Sequence, residues 1–157
     1  MIVFVLGLGL VACDSSTSDD KAEKSSVSSK KETEFYKIGD TVKVDKVTYT
    51  LKSVKLTKER NQFEDSNPKY VLKVTYHVKN ETSDDLAVGT DLNVYGPSNS
   101  KLKTYPLNDQ TIDSITAGKE ADVVTGFGTN KLGKFELHFE PLASLNAKAA
   151  KFKVNVK

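Results

Sequence analysis

Between Lys69 and Lys79 the chain alternates without a break. Tyr70, Leu72, Val74, Tyr76 and Val78 fall on one phase, and Val71, Lys73, Thr75, His77 and Lys79 on the other. A helix would scatter the first set around its axis, whereas a strand places it on one face. Five large apolar side chains on one face need a second layer to cover them. The spacing predicts a central strand with Tyr70, Leu72, Val74, Tyr76 and Val78 in a core. One strand cannot stand alone in water, so its partners must come from elsewhere in the chain.

The rest of the folded part has no long helical period. Short alternating runs are divided by Gly, Pro, Asn, Asp and Ser, the pattern of an all-β chain. Strands are predicted at Thr41–Val44, Val47–Lys58, Leu86–Val88, Leu92–Tyr95 and Lys101–Tyr105. Others follow at Glu120–Phe127, at Phe135–Phe139 and from Phe152 to Val156. Leu107–Ser114 reads as an irregular link, and Leu142–Ala150 as room for one helical turn. Pro141 cannot donate to a ladder and should end its strand. In Val47–Lys58, Val47, Tyr49 and Leu51 share one phase while Val54 and Leu56 take the other. Burying both sets on one side requires an extra residue, so a β-bulge or sheet switch is expected at Lys52-Ser53. About eight or nine antiparallel strands in residues 35–157 are simplest to bury as a two-sheet β-sandwich. The first and last strands should lie near sheet edges, where their lysines would discourage edge-to-edge pairing.

Ahead of this domain, Ile2–Val11 is apolar but too short for a membrane-spanning helix of about 20 residues. It has the length of a signal-peptide core. It ends in Leu10-Val11-Ala12-Cys13, with the only cysteine of the 157 residues. These four residues resemble a bacterial lipobox. The resemblance implies cleavage between Ala12 and Cys13 and a diacylglyceryl group on the Cys13 thiol. Residues 1–12 are then a leader, and membrane attachment runs through the lipid on Cys13. No Lys or Arg precedes Lys21, whereas leaders begin basic, so the natural start is expected upstream. Residues 13–34 form a Ser/Lys/Asp-rich stretch in which only Ala22 and Val27 are apolar from Asp14 to Thr33. Such a segment cannot bury enough surface to offset its ordering entropy. It reads as a disordered tether with a reach of roughly 25 Å. With Cys13 lipidated, no thiol remains for a disulfide, and the domain must stand on its core.

A family resemblance rests on three stretches: Lys69 to Asn80 followed by an acidic turn, Asp91-Leu-Asn-Val-Tyr95, and Ala117-Gly-Lys-Glu120 before a Val-rich strand ending at Phe127. Together they resemble the Ig-like lipoprotein family called domain of unknown function 4352. That family is related in fold to an immunoprotective extracellular antigen of mycobacteria. The resemblance implies an Ig-like sandwich, lipid-anchored on the outer face of the cytoplasmic membrane in a Gram-positive envelope. It carries no catalytic residues.

The residues themselves offer little chemistry. His77 and His138 fall on predicted outward positions. No metal-ligand spacing, dinucleotide fingerprint or Gly-x-Ser-x-Gly turn occurs, so neither an enzyme nor a metal or cofactor is expected. Asp84, Asp85 and Asp91 match no calcium loop and read as a solvated acidic turn. A charge of +2, from 23 basic and 21 acidic residues, leaves no nucleic-acid footprint. The absence of Trp weakens a carbohydrate platform. Rigid sandwiches carry function on loops. The reading is a monomeric binding module for an envelope protein or wall polymer, with an accessory or protective surface lipoprotein (an inhibitor, or phage- or stress-related) as the alternative. The candidate loops are Glu59–Pro68, Asn80–Asp91 and Gly96–Ser100, with Asn61, Asp65, Asp84, Asp85 and Asn99 as candidate contacts. Lys43, Lys46, Lys52, Lys55, Lys58, Lys101, Lys103, Lys151 and Lys153 make a lysine-rich surface, which leaves open a local basic face toward an anionic wall polymer or lipid headgroups.

Overall fold

The structure, a computed structural model, describes residues 34–142 and 144–157. The leader, Cys13 and all but the last residue of the expected tether lie outside the described residues. The domain is all-β, as expected, with ten strands among the described residues.

The larger sheet contains β1 (Thr41–Val44), β2 (Val47–Thr57), β3 (Tyr70–Asn80), β8 (Glu120–Thr129) and the two-residue β6 (Lys103–Thr104). Its order is β1-β2-β3-β8-β6, so the alternating strand is central. The second sheet is β10-β9-β5, formed by Ala150–Val156, Gly133–Phe139 and Leu92–Tyr95. A small pair joins β4 (Leu86–Val88) to β7 (Asp113–Ile115). All ladders are antiparallel. The strand β7 is one more than the sequence suggested, since its three residues carry only Ile115 into the core. Ser144 N–H donates to the Pro141 carbonyl at 3.0 Å, and among the described residues Leu142–Ala150 holds no helical turn.

The two large sheets meet through aromatic rings. Phe139 of β9 lies 4.9 Å, centroid to centroid, from both Tyr49 of β2 and Tyr76 of β3, and 5.4 Å from Phe152 of β10. Leu72, Val74, Tyr76 and Val78 are fully buried, as the alternation demands. Tyr70 is only half-buried. It lies at the end of the sheet, where the second layer no longer covers it. Val71, on the outward phase, is buried instead. Tyr105 and Leu107 fold across the outer face of the sheet and cover it. Gly126 makes this possible, because a Cβ there would stand 2.3 Å from the Tyr105 carbonyl oxygen.

The predicted bulge is present. Leu51 pairs with Tyr76 and Ser53 with Thr75, leaving Lys52 without a partner in the ladder. Beyond it Val54 pairs with Val74 and packs partly buried against the core, while Leu56, opposite Leu72, is 41% exposed because the second layer does not reach that end of β2. Deleting Lys52 should therefore leave every other pairing in register. The expected cost is about 1 kcal/mol or less, chiefly its exposed ion pair to Asp122 at 3.0 Å. Deleting Thr48 would turn buried Tyr49 outward and should abolish cooperative unfolding. Thermal melts of the two deletions check this, and equal damage from both would refute it.

The registers also define two ends. Val44, Asn80, Glu120, Phe139 and Ala150 lie at one, together with Glu34, since Tyr36 runs parallel to β10 at Phe152. Tyr70, Thr129, Gly133 and Val156 lie at the other.

Candidate binding groove

At the end away from Glu34 the chain changes sheets. Lys101 bridges Tyr95, and Leu102 N–H donates to the Val94 carbonyl at 2.8 Å, both on the edge of β5. Two residues later Lys103 and Thr104 pair with Gly128 and Phe127 of β8. This short crossover spans the mouth of the sandwich and floors a groove of about 390 Å³.

Three turns wall it. Ser66 to Pro68 come from the β2–β3 loop, Gly96 to Ser98 and Ser100 from the turn after β5, and Gly128 to Lys131 from the turn after β8. Each is held by its own bonds. Gly96 N–H donates to the Ser100 carbonyl and Asn99 N–H to the Gly96 carbonyl, both at 2.9 Å. The Thr129 hydroxyl donates to the Lys131 carbonyl at 3.0 Å. Lys69 N–H donates to Asn130 Oδ1 at 2.9 Å, joining the first and third turns. The packing is as close as the backbone permits. A Cβ on Gly128 would sit 2.8 Å from Pro68, and one on Gly133 would sit 3.2 Å from Pro97. The groove is thus built before any ligand arrives, which limits the ordering cost of binding.

Its lining bears one sign of charge. Lys101, Lys103 and Lys131 contribute ammonium groups, and no Asp, Glu or His lines it. None of the three lysines has a carboxylate within 4 Å among the described residues, whereas Lys43, Lys52, Lys73 and Lys153 do. The nearby Glu64 carboxyl is held below its usual range by hydrogen bonds from Ser66, with a minor contribution from Lys103.

Two of the three loops chosen from sequence converge here. Asn99, left-handed at φ 61°, sits between lining residues Ser98 and Ser100. Asn61 is turned inward: its N–H donates to the Tyr105 hydroxyl at 2.8 Å, and its Oδ1 accepts from Phe63 N–H. It supports the groove's floor and does not line it. Asp65 is exposed beside lining residue Ser66. Asp84 and Asp85 lie exposed at the opposite end, beside Asn80, whose Nδ2 donates to the Asp84 carbonyl. The turn at Thr129–Lys131 was not among the sequence candidates. Its clue was the unpaired-looking Asn130-Lys131 next to two glycines.

Of the expected solvated acidic turn, Asp84 and Asp85 are exposed as read, but Asp91 is not part of it. Asp91 is 2% exposed. Its Oδ2 accepts from the Tyr49 hydroxyl at 2.9 Å, and its Oδ1 from the Tyr76 hydroxyl at 2.7 Å and Gly89 N–H at 3.1 Å. Burial first, and then the Asp91 charge, push both phenols far above their usual range. With three donors committed to it, this carboxylate ties the sheets together. A hollow of about 290 Å³ beside it, under Leu142 and Leu145, therefore meets a carboxylate whose oxygens are already engaged. His77 lies 2.8 Å from Asp122, and His138 lies 3.2 Å from Glu136 with its ring tilted at 45° to that of Tyr95, 4.8 Å away. Both histidines are partly covered by cross-strand neighbours.

No protein-family model matches the chain, and no curated protein matches its sequence. Its fold does have solved counterparts. A candidate lipoprotein, ycdA of Bacillus subtilis, is 24% identical with a TM-score of 0.63; the match covers 73% of this chain and 38% of that one. The yjhA protein of the same organism is 14% identical with a TM-score of 0.59, over 78% of this chain and 100% of that one. The secreted protein MPT63 of Mycobacterium tuberculosis is 8% identical with a TM-score of 0.54, over 78% and 99%. The chain spans well under half of the ycdA length. At these identities the likeness is one of fold: an antiparallel β-sandwich of the Ig-like kind.

Proposed function

We propose that this chain is a lipid-anchored envelope protein whose sandwich is a non-enzymatic binding module. Cleavage after Ala12 and lipidation of Cys13 would hold it on the outer face of the cytoplasmic membrane, in a Gram-positive envelope. Membership in the family called domain of unknown function 4352 belongs to the same reading, and the shared fold with a secreted mycobacterial protein and a candidate lipoprotein supports it. The observation that carries the binding role is the preformed groove, which gathers three polar turns at the end of the sandwich farthest from Glu34. A diacylglyceryl group clears the affinity threshold that a single acyl chain does not, since each buried methylene contributes about 0.8 kcal/mol.

The test combines mass and topology. Membrane-extracted protein should have lost residues 1–12 and gained a diacylglyceryl group, and Cys13→Ser should shift the protein out of the membrane pellet. Cys13 is the sole cysteine, so a Ser98→Cys variant with a lipidated Cys13 carries one free thiol. A membrane-impermeant maleimide should label it on intact cells. An uncleaved mass, or labelling only after lysis, would refute the reading.

A further inference from the structure

The groove's lining specifies a class of ligand. We propose that it binds a linear phosphodiester polymer, a polyol- or sugar-phosphate chain, through Lys101, Lys103 and Lys131. The inference rests on the anchored binding-module reading and names its ligand.

Four features lead to it. The lining presents three ammonium groups and no carboxylate, so its ligand carries repeated negative charge. The cations are all lysines. Lysine holds phosphate groups as a compact point charge that does not demand the planar bidentate geometry of arginine. Lys101 and Lys103 are two apart on an extended segment, a spacing of roughly 6.5 Å, on the scale of one repeat of a phosphodiester chain. The lining includes apolar surface from Pro68, Pro97 and Leu102 but offers no aromatic face, because Tyr105 is 2% exposed and its hydroxyl is engaged by Asn61. A polyol or sugar chain needs only hydroxyl and amide partners, which Ser98, Ser100 and Asn130 supply. Asn130 is already oriented, because its carbonyl oxygen accepts from Lys69 N–H.

The test uses the full chain carrying Cys13→Ser and a short synthetic poly(glycerol phosphate). Binding should weaken with salt, log K falling against log salt with a slope of about −2 for three released counterions. The triple variant Lys101→Gln/Lys103→Gln/Lys131→Gln should lose at least tenfold in affinity and most of that slope. A second triple, Lys46→Gln/Lys79→Gln/Lys151→Gln, removes the same charge from exposed sites elsewhere and should stay within twofold. Equal loss in both triples would reduce the effect to net charge and overturn the site. Polyglutamate or phosphatidylglycerol vesicles binding as tightly as the polymer would overturn the ligand class, and so would no binding at low salt. Failure here with Cys13 lipidated and Ser98→Cys labelled on intact cells would overturn the polymer and leave the anchored module standing.

Discussion

Replacing Asp91 with alanine should destabilise the domain by about 3–5 kcal/mol, a large part of the stability of a domain this size. The substitution leaves two buried phenol hydroxyls and the Gly89 N–H without an acceptor. Each such orphan costs on the order of 1–3 kcal/mol. Tyr49→Phe or Tyr76→Phe removes a donor but leaves the carboxylate with two others, so each should cost about 1 kcal/mol. The decisive variant is the triple Asp91→Leu/Tyr49→Phe/Tyr76→Phe. It deletes the polar cluster with little change of volume and should be more stable than Asp91→Ala alone. Urea unfolding of the four variants beside the parent measures this. If Asp91→Ala falls within 1 kcal/mol of the parent, or the triple is the worst of the set, the cluster does not hold the sheets as described.

The second large effect is expected at Gly89. Its φ of +99° already disfavours any side chain. An added Cβ would also lie 2.1 Å from the Thr111 carbonyl oxygen. Thr111 cannot simply retreat, because its N–H donates to the Val124 carbonyl at 2.9 Å and its hydroxyl accepts from Val124 N–H at 3.1 Å. Gly89→Ala must therefore distort the β4–β5 turn or lift the segment that covers the edge of β8. It should cost about 3–5 kcal/mol. Gly118 separates strain from clash: its φ is +79°, and a Cβ added there would meet nothing within 4 Å, so Gly118→Ala should cost only about 1 kcal/mol. Similar midpoints for the two alanine variants in urea would show that the close approach at Gly89 contributes nothing.

The central strand and the bulge were legible because both are local. The alternation from Tyr70 to Val78 needs one face, and the phase conflict between Leu51 and Val54 needs one extra residue. The buried role of Asp91 was hidden by distance, since its partners Tyr76 and Tyr49 are 15 and 42 residues away. A signal did exist. Two tyrosines on core phases require an acceptor for their hydroxyls, and a carboxylate beside Gly89 was available. The groove was half visible. Polarity marked the loops at Glu59–Pro68 and Gly96–Ser100, but nothing local shows that Gly128 and Gly133 admit Pro68 and Pro97. Those contacts bring the third turn and Lys131 alongside. An extended run at Lys101–Tyr105 was legible, but not its switch of sheets: Lys101 bridges Tyr95 of β5, whereas Lys103 and Thr104 pair with β8.

The placement of Glu34 and the groove at opposite ends has a mechanical meaning. A pull between them runs along the strands and loads their hydrogen bonds in shear, many at once. It does not peel them apart one by one. At the Glu34 end the first bonds to bear the load are Tyr36 N–H to the Lys151 carbonyl and Lys153 N–H to the Tyr36 carbonyl, at 2.9 and 3.0 Å. Behind them stands Gly39 N–H on the Leu51 carbonyl. At the far end the crossover bonds to both sheets, so tension on the groove is shared between the layers. Force applied along that axis would therefore be resisted by both layers together.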